Sequence, residues 1–533
     1  MKRSKRQTPK KVTPEPVPKE FTSHIFLHRC FLVIMAFTAG AAVMVIELAA
    51  IRILAPWFGN SLYTWTGLIG VILIAMSAGY YAGGWLADKK TSYLVLSHIL
   101  AAAALFILAI PLFSHVAGTP LGTYNVILGP VVASLLMFAM PGFLLGSVSP
   151  YIIRLVSLLS ADKHIGLSAG TVFMVSTIGS VLGTFASGFW LIPSLDLEHV
   201  FWLTGIVVAS LAGLGYFLAF QQRGKLALQS LALLGAVPLL LLATALTRPS
   251  PPANVLFDQM SFYHRIRVIQ KEFPKSGDRV KSLFLDTTWE GGQYDTSPNF
   301  AVPYQRYVEL ARLFCMKHEA ALFLGGGAFK MPQAFLDHYP QARVEVAEID
   351  PAVVEVGRRF FRVNNYPDLH IIVDDARRYL THTMRKYDLI FGDAYNGVRS
   401  VPAHLLTREF FETVKDHLDE RGVFMMNIIG SVQGNNAALF SSVLKTLSRV
   451  FQETCVFATI PQKLNRAQSL VIVATDFDLQ LDSLAATLPP DQEPLRKLLL
   501  TRVATQNYNI HDGYVLTDNF NPVEYLVART LQP

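Results

Sequence analysis

Four short stretches in the second half of the chain hold residue types that can bind and act on a small molecule. Leu322-Phe323-Leu324 runs into Gly325-Gly326-Gly327, and glycine permits a sharp turn and a backbone that nears a ligand with no Cβ in the way. About 20 residues on, Glu348 closes the next apolar run, where an acid accepts hydrogen bonds from ribose hydroxyls. Asp374-Asp375-Ala376 ends the third run, where an acid can meet an adenine amino group, and Asp393 ends the fourth. A carboxylate at Asp393 can take a proton from an attacking amine or stabilise developing positive charge. Each acid alone reads as readily as a helix cap or loop residue. Three of them, at successive run ends around one glycine turn, point to a nucleoside pocket.

That pocket needs a scaffold of alternating strands and helices. Ala320 to Leu324, Val344 to Ile349, Leu369 to Val373, Tyr387 to Gly392 and Gly422 to Ile428 read as strands. Helices are expected near 330–338, 351–361, 375–383, 404–418 and 435–450. Alternation of this kind predicts a parallel, doubly wound, Rossmann-like sheet with its ligand at the carboxyl ends of the strands. Before it, Ser261 to Ile269 alternates apolar and polar residues, with Lys281 to Asp286 as its partner, which predicts a small β subdomain. Asp518 can cap the last helix or reach the pocket.

The first half of the chain has a different texture. Between Phe31 and Thr247 there are twelve charged side chains, and none between Thr91 and Tyr151. Seven segments are long and apolar enough to cross a bilayer, at about 31–53, 64–87, 92–114, 124–147, 167–193, 200–220 and 226–246. The one at 124–147 is the weakest, because Pro141 interrupts it. The organisation expected is a basic tail (1–30), a transmembrane domain of about seven helices (31–247), the β subdomain (251–300), the Rossmann-like core (301–480) and a C-terminal extension (481–533). Of the chain's net charge of +7, the tail alone carries +6, so no broad nucleic-acid footprint remains. Lys and Arg fall in alternate loops, which predicts a multi-pass protein of the cell (inner) membrane with a cytoplasmic N-terminus. Seven crossings then place the C-terminal domain outside, away from adenosyl cofactors made in the cytosol. Glu47 and Arg52 near the first span either line a transport path or form a structural pair. Glycines at spacings of mostly four, such as Gly79/Gly83 and Gly179/Gly183, signal close helix packing. Cys30, Cys315 and Cys455 have no metal or redox spacing, and no metal site is expected.

The order of motifs from Ser261 to Ile428 resembles the spermidine synthase (polyamine aminopropyltransferase) family. The resemblance rests on Ser261-Phe262-Tyr263, Leu283-Phe284-Leu285-Asp286, Tyr304-Gln305, Gly325-Gly326-Gly327, Glu348-Ile349-Asp350, Asp375-Ala376 and Asp393-Ala394-Tyr395-Asn396. The first spans look like the membrane part of spermidine-synthase-like fusion proteins. The resemblance implies a seven-stranded class I methyltransferase-like core that moves an aminopropyl group from decarboxylated S-adenosylmethionine to a diamine. On it, Gly325, Gly326, Gly327, Glu348, Asp350, Asp375 and Ala376 hold the nucleoside and Asp393 activates the amine. Tyr304, Gln305, Tyr395 and Asn396 line the substrate pocket, and Tyr263 belongs to a lid strand. A homodimer is compatible with it.

The family's glycine loop continues Asp-Gly-Gly, whereas here it reads Ala328-Phe329-Lys330, and Asn396 stands where the family has a second Asp. Two acids that pair with cations are gone and a cation is added. These departures predict a poor fit for a dicationic polyamine and a better one for a carboxylate-bearing donor such as S-adenosylmethionine. Three functions stay open: a transferase, a degenerate sensing domain regulating the membrane half, or a transporter with a soluble recognition domain.

Overall fold

A computed structural model describes residues 25–59, 61–122, 128–159, 165–223, 228–247, 252–272, 278–395, 402–434, 436–508 and 510–530. Most of the basic tail, residues 273–277 and Asn396 fall outside them. By contacts the chain forms two compact units. One comprises Met1–Ala50, Ile69–Ser114 and Ser134–Arg248; the other comprises Ile51–Leu68, His115–Ala133 and Pro249–Pro533.

In the N-terminal half, six helices among the described residues are long and apolar enough to cross a membrane: Phe26–Phe58, Leu62–Lys89, Tyr93–His115, Leu128–Leu159, Gly166–Ser194 and Leu197–Phe220. Pro141 does not break the fourth, which runs unbroken as a helix from Leu128 to Leu159. Helix-breaking proline is tolerated in apolar spans where neighbouring groups re-satisfy the freed carbonyl. The seventh expected segment corresponds to the helix Leu228–Thr247, 20 residues long with Pro238 inside it. The paired glycines do pack helices closely. A Cβ on Gly179 would lie 2.1 Å from the Phe37 carbonyl oxygen, and one on Gly83 would lie 2.3 Å from that of Ser147. Gly166, Gly170 and Gly188 meet nothing within 4 Å, so the pattern over-reads there.

The second unit holds two sheets. Strands β1 (Val255–Met260), β2 (Arg265–Glu272), β3 (Arg279–Leu285) and β4 (Thr288–Tyr294) form an antiparallel meander in that order. Only β2 and β3 are legible as strands in the sequence. The larger sheet has β5 (Ala320–Leu324), β6 (Arg343–Glu348), β7 (Leu369–Val373), β8 (Tyr387–Gly392), β9 (Leu418–Gly430), β10 (Glu453–Ala458) and β11 (Gln468–Thr475), ordered β10-β11-β9-β8-β5-β6-β7. Five strands run parallel, as the alternation predicts. The pair β10–β11 is antiparallel, making the sheet mixed; this edge was not foreseen.

Alternate residues of each strand face opposite layers. In β5, Ala321 and Phe323 join the core cluster containing Phe335, Val353 and Phe457, while Leu322 and Leu324 join the one containing Phe411, Phe424 and Phe440. Burying a large apolar side chain contributes about 1.5–3 kcal/mol, so the central strands are fixed on both faces. Their carboxyl ends have nowhere to move.

Candidate functional site

The turn after β5 is built by backbone bonds between neighbouring strands. Gly325 N–H donates to Ala347 O at 2.8 Å, and Asp393 N–H donates to Leu324 O at 2.9 Å. Gly325 has φ +100, and a Cβ there would lie 2.7 Å from Asp393 O; a side chain is excluded by conformation and by space. Gly327 also has positive φ, +48. Phe329 holds φ +55, an uncommon conformation for a bulky residue. Its buried ring explains the arrangement, for it fills the space beside Gly326 and Gly357, where a Cβ would come within 2.6 and 2.4 Å of it.

Glu348, at the end of β6, is brought against this turn. Its Oε2 accepts from Gly326 N–H at 2.7 Å and its Oε1 from Asp350 N–H at 2.9 Å. Burial pushes its carboxyl above the ordinary range, opposed by those two bonds. Asp350 is buried and caps the helix Pro351–Phe360 through Ala352 N–H, while its second oxygen accepts from the Ser261 hydroxyl. Asp350 is therefore a scaffold residue that ties the β1–β2 turn to the strand ends.

Asp375 caps the helix Ala376–His382, accepting from Arg377 and Arg378 N–H at 3.0 Å each. Its other oxygen meets His404 Nε2 at 2.9 Å, a contact that, with the capping bonds, holds its carboxyl below the usual range. The adenine-side acid expected from sequence is thus largely engaged locally, and Ala376 is buried as the first residue of the helix it caps. Asp518 neither caps the last helix, which begins at Val523, nor reaches the glycine turn. It forms a two-pronged pair with Arg377 at 2.6 and 2.7 Å.

Asp393 is the centre of the other group. Tyr304 Oη–H donates to its Oδ2 at 2.7 Å, and Asn427 Nδ2 donates to its Oδ1 at 3.0 Å. Burial pushes its carboxyl up to about 7 in spite of both donors. Burial, then the negative neighbours Asp393, Asp286 and Glu348, push Glu290 up to about 8. Tyr304 and Gln305 are buried on the 3-10 helix Pro303–Leu310, and Gln305 Nε2 reaches Glu290 O at 3.4 Å. Sequence reasoning found Tyr304, Gln305 and Asp393 but missed Glu290 and Asn427. The one available signal was Asn427 itself, a polar residue in the apolar run Val423 to Ile428.

The remaining expected residues sit elsewhere. Tyr263 lies half-buried in the β1–β2 turn, edge-on to Phe262 at 5.4 Å, with its carbonyl accepting from Arg52 at 3.1 Å. Arg52 also lies over the Phe262 ring at 5.3 Å. Tyr395 Oη donates to Asn427 O at 3.1 Å and accepts from Ile429 N–H at 2.9 Å, so the β9 backbone holds its hydroxyl. Its ring borders an apolar pocket that also touches Leu324, Phe410, Met426 and Asn427. Lys330 does not add a cation to the pocket. Its ammonium sits over the Phe300 ring at 5.6 Å, its charged neighbours are Asp337, Arg362 and Glu309, and burial lowers its pKa. No cluster of His, Cys, Asp and Glu able to hold a metal occurs among the described residues.

Residues 303–483 match the spermine/spermidine synthase domain. A polyamine aminopropyltransferase of Vibrio vulnificus is 27% identical over 289 residues, 51% of this chain and 92% of its own. Polyamine aminopropyltransferase 2 of Aquifex aeolicus is 24% identical over 430 residues, 78% of this chain and 81% of its own, so that match extends well into the apolar N-terminal half. A probable spermidine synthase from Corynebacterium glutamicum superposes with a TM-score of 0.38 at 22% identity, over 44% of this chain and 87% of its own. Through its C-terminal domain, the chain belongs to the spermidine synthase family.

Proposed function

We propose that the protein is a membrane-embedded transferase that moves an aminopropyl group from decarboxylated S-adenosylmethionine to an amine, with Asp393 as the base. The observation that carries this reading is the setting of Asp393: an enclosed carboxylate, oriented by Tyr304 and Asn427, beside the glycine turn. A pKa near 7 suits a proton acceptor at neutral pH. The amine lone pair attacks the methylene carbon next to the sulfonium. The C–S bond breaks with its electrons passing to sulfur, methylthioadenosine leaves neutral, and the amine proton goes to Asp393. Holding the two reactants in line supplies most of the acceleration. Glu348 and the glycine turn offer the nucleoside end acceptors and a close backbone.

The decarboxylated donor is favoured over S-adenosylmethionine. With Lys330 turned to Phe300, a donor carboxylate would face the acids Glu290 and Asp393 without the Lys330 ammonium beside it. Placing like charges together in an enclosed site is unfavourable by several kcal/mol. The relatives in Vibrio vulnificus and Aquifex aeolicus, both polyamine aminopropyltransferases by name, agree with this substrate class. The test is transfer from labelled decarboxylated S-adenosylmethionine to a panel of mono- and diamines by the full chain in detergent, read as methylthioadenosine release. Transfer from neither adenosyl donor to any amine, or methyl transfer alone, would sink the proposal.

The same proposal puts the C-terminal domain on the cytoplasmic side, which requires that one of the seven apolar segments not traverse the bilayer. An even count returns the chain to the side of its basic tail, where the donor is made. A reporter active only in the cytosol, fused after Pro252, should be active; activity only of an externally active reporter at the same position would refute it.

A further inference from the structure

The family's loop acid is absent, and Ala328 leaves a methyl in its place, 1% exposed and facing Gly291, where a Cβ would lie 2.8 Å from it. The segment opposite is β4, and the residue before Gly291 is Glu290, whose carbonyl would lie 3.4 Å from a Cβ on Gly327. An acid therefore borders the same turn from the facing strand. Its Oε1 is enclosed and has no hydrogen-bond partner. Two further enclosed acceptors without partners belong to residues of the same group: Gln305 Oε1, on a side chain that bonds the Glu290 backbone, and Asn427 Oδ1, on one that bonds Asp393. Gln305 and Asn427 are 3% and 4% exposed, so bulk water does not satisfy them.

Leaving buried acceptors unmade is unfavourable, and native proteins rarely do so without a ligand or ordered water. Burial and acidic neighbours push Glu290 up to about 8, and a cation beside it would return it to the carboxylate; three acceptors without partners, one of them on this acid, suit a positively charged donor with several N–H groups. A primary ammonium has three such N–H groups and a positive charge. We propose that Glu290, supported by Gln305 and Asn427, binds the primary ammonium of the donor's aminopropyl arm, in the role that Ala328 cannot fill. This rests on the aminopropyl-donor reading above and adds to it the residue that selects a donor bearing an amine.

Calorimetric titration of the full chain in detergent separates the two ideas. The probes are decarboxylated S-adenosylmethionine and methylthioadenosine, which shares the nucleoside but lacks the amine. In Glu290→Gln the decarboxylated donor should bind roughly 10- to 100-fold more weakly, the loss of one charge-assisted bond, while methylthioadenosine changes less than about twofold. Glu290→Asp, which keeps the charge, should recover part of the loss, and it carries the test if the glutamine variant does not fold. Equal weakening of both probes, or of neither, overturns the ammonium assignment while leaving the donor reading intact. Failure of the wild-type chain to bind either probe overturns both.

Discussion

Replacing Asp393 by asparagine removes a charge from an enclosed site while keeping its shape. The side-chain oxygen of the asparagine can still accept from Asn427 Nδ2, and its new amide can donate to Tyr304 Oη, since a hydroxyl also accepts. The effect should therefore come from ionisation. Asp393 has its carboxyl raised from 3.8 to about 7, so between those values the folded chain holds a proton that the unfolded chain has released. Stability of the wild type accordingly falls as pH rises through that window and levels off above about 7. A rise of about three units corresponds to a ceiling of about 4 kcal/mol. Asp393 keeps a partly exposed edge and its charge is coupled to Glu290, so about 1–3 kcal/mol is the realistic share. Thermal unfolding of wild type and Asp393→Asn in detergent reads this directly. The variant should unfold about 2–5 °C higher at about pH 8.5 and nearly level with wild type at about pH 4.5. Its transfer rate at pH 8 should fall about 10²- to 10⁴-fold. A variant less stable than wild type at both pH values, or one whose Tm difference ignores pH, would refute the reasoning.

Tyr304→Phe deletes the 2.7 Å donor to Asp393 Oδ2 and should push that carboxyl further up by about one unit. The ionised base is the active form, so the acid limb of kcat/KM against pH should shift upward and the rate should recover towards pH 9. A uniform loss at every pH would count against Tyr304 as a positioning residue for the base. In the helical unit, Gly179→Leu drives a side chain into the Phe37 carbonyl and should lower Tm by several degrees, whereas Gly170→Leu, with nothing within 4 Å, should be tolerated. Equal effects of the two leucines in a thermal scan would mean that Gly179 is not a close-contact site.

Much of the candidate site is legible because local chemistry specifies it. The apolar run into three glycines makes a strand and a tight turn wherever it occurs, and Gly325 with φ +100 shows why no other residue serves there. Parallel strands buried on both faces read as apolar blocks, so the ends of β5, β6, β7 and β8, and with them Glu348, Asp375 and Asp393, can be located before any coordinates exist. The antiparallel pair β10–β11 is equally apolar, but its pairing depends on the far edge of the sheet, and no local signal fixes a strand's partner. Nor does sequence tell a ligand-facing acid from a cap. Asp375 and Asp350 both cap helices, whereas Asp393, among the described residues, accepts from side chains of other elements.

The sequence by itself determined the division into an apolar helical half and a Rossmann-like half, the glycine turn and the acids around it, since these follow from periodicity and from the conformational freedom of single residues. Tertiary structure alone decided which charges meet. It turned Lys330 onto Phe300, brought the Glu290 backbone from a Gly-rich strand against the glycine turn, and set Asn427 against Asp393. The physical reason is range: backbone preference acts over a few residues, whereas electrostatics and enclosure act between atoms that chain packing alone brings within a few ångströms.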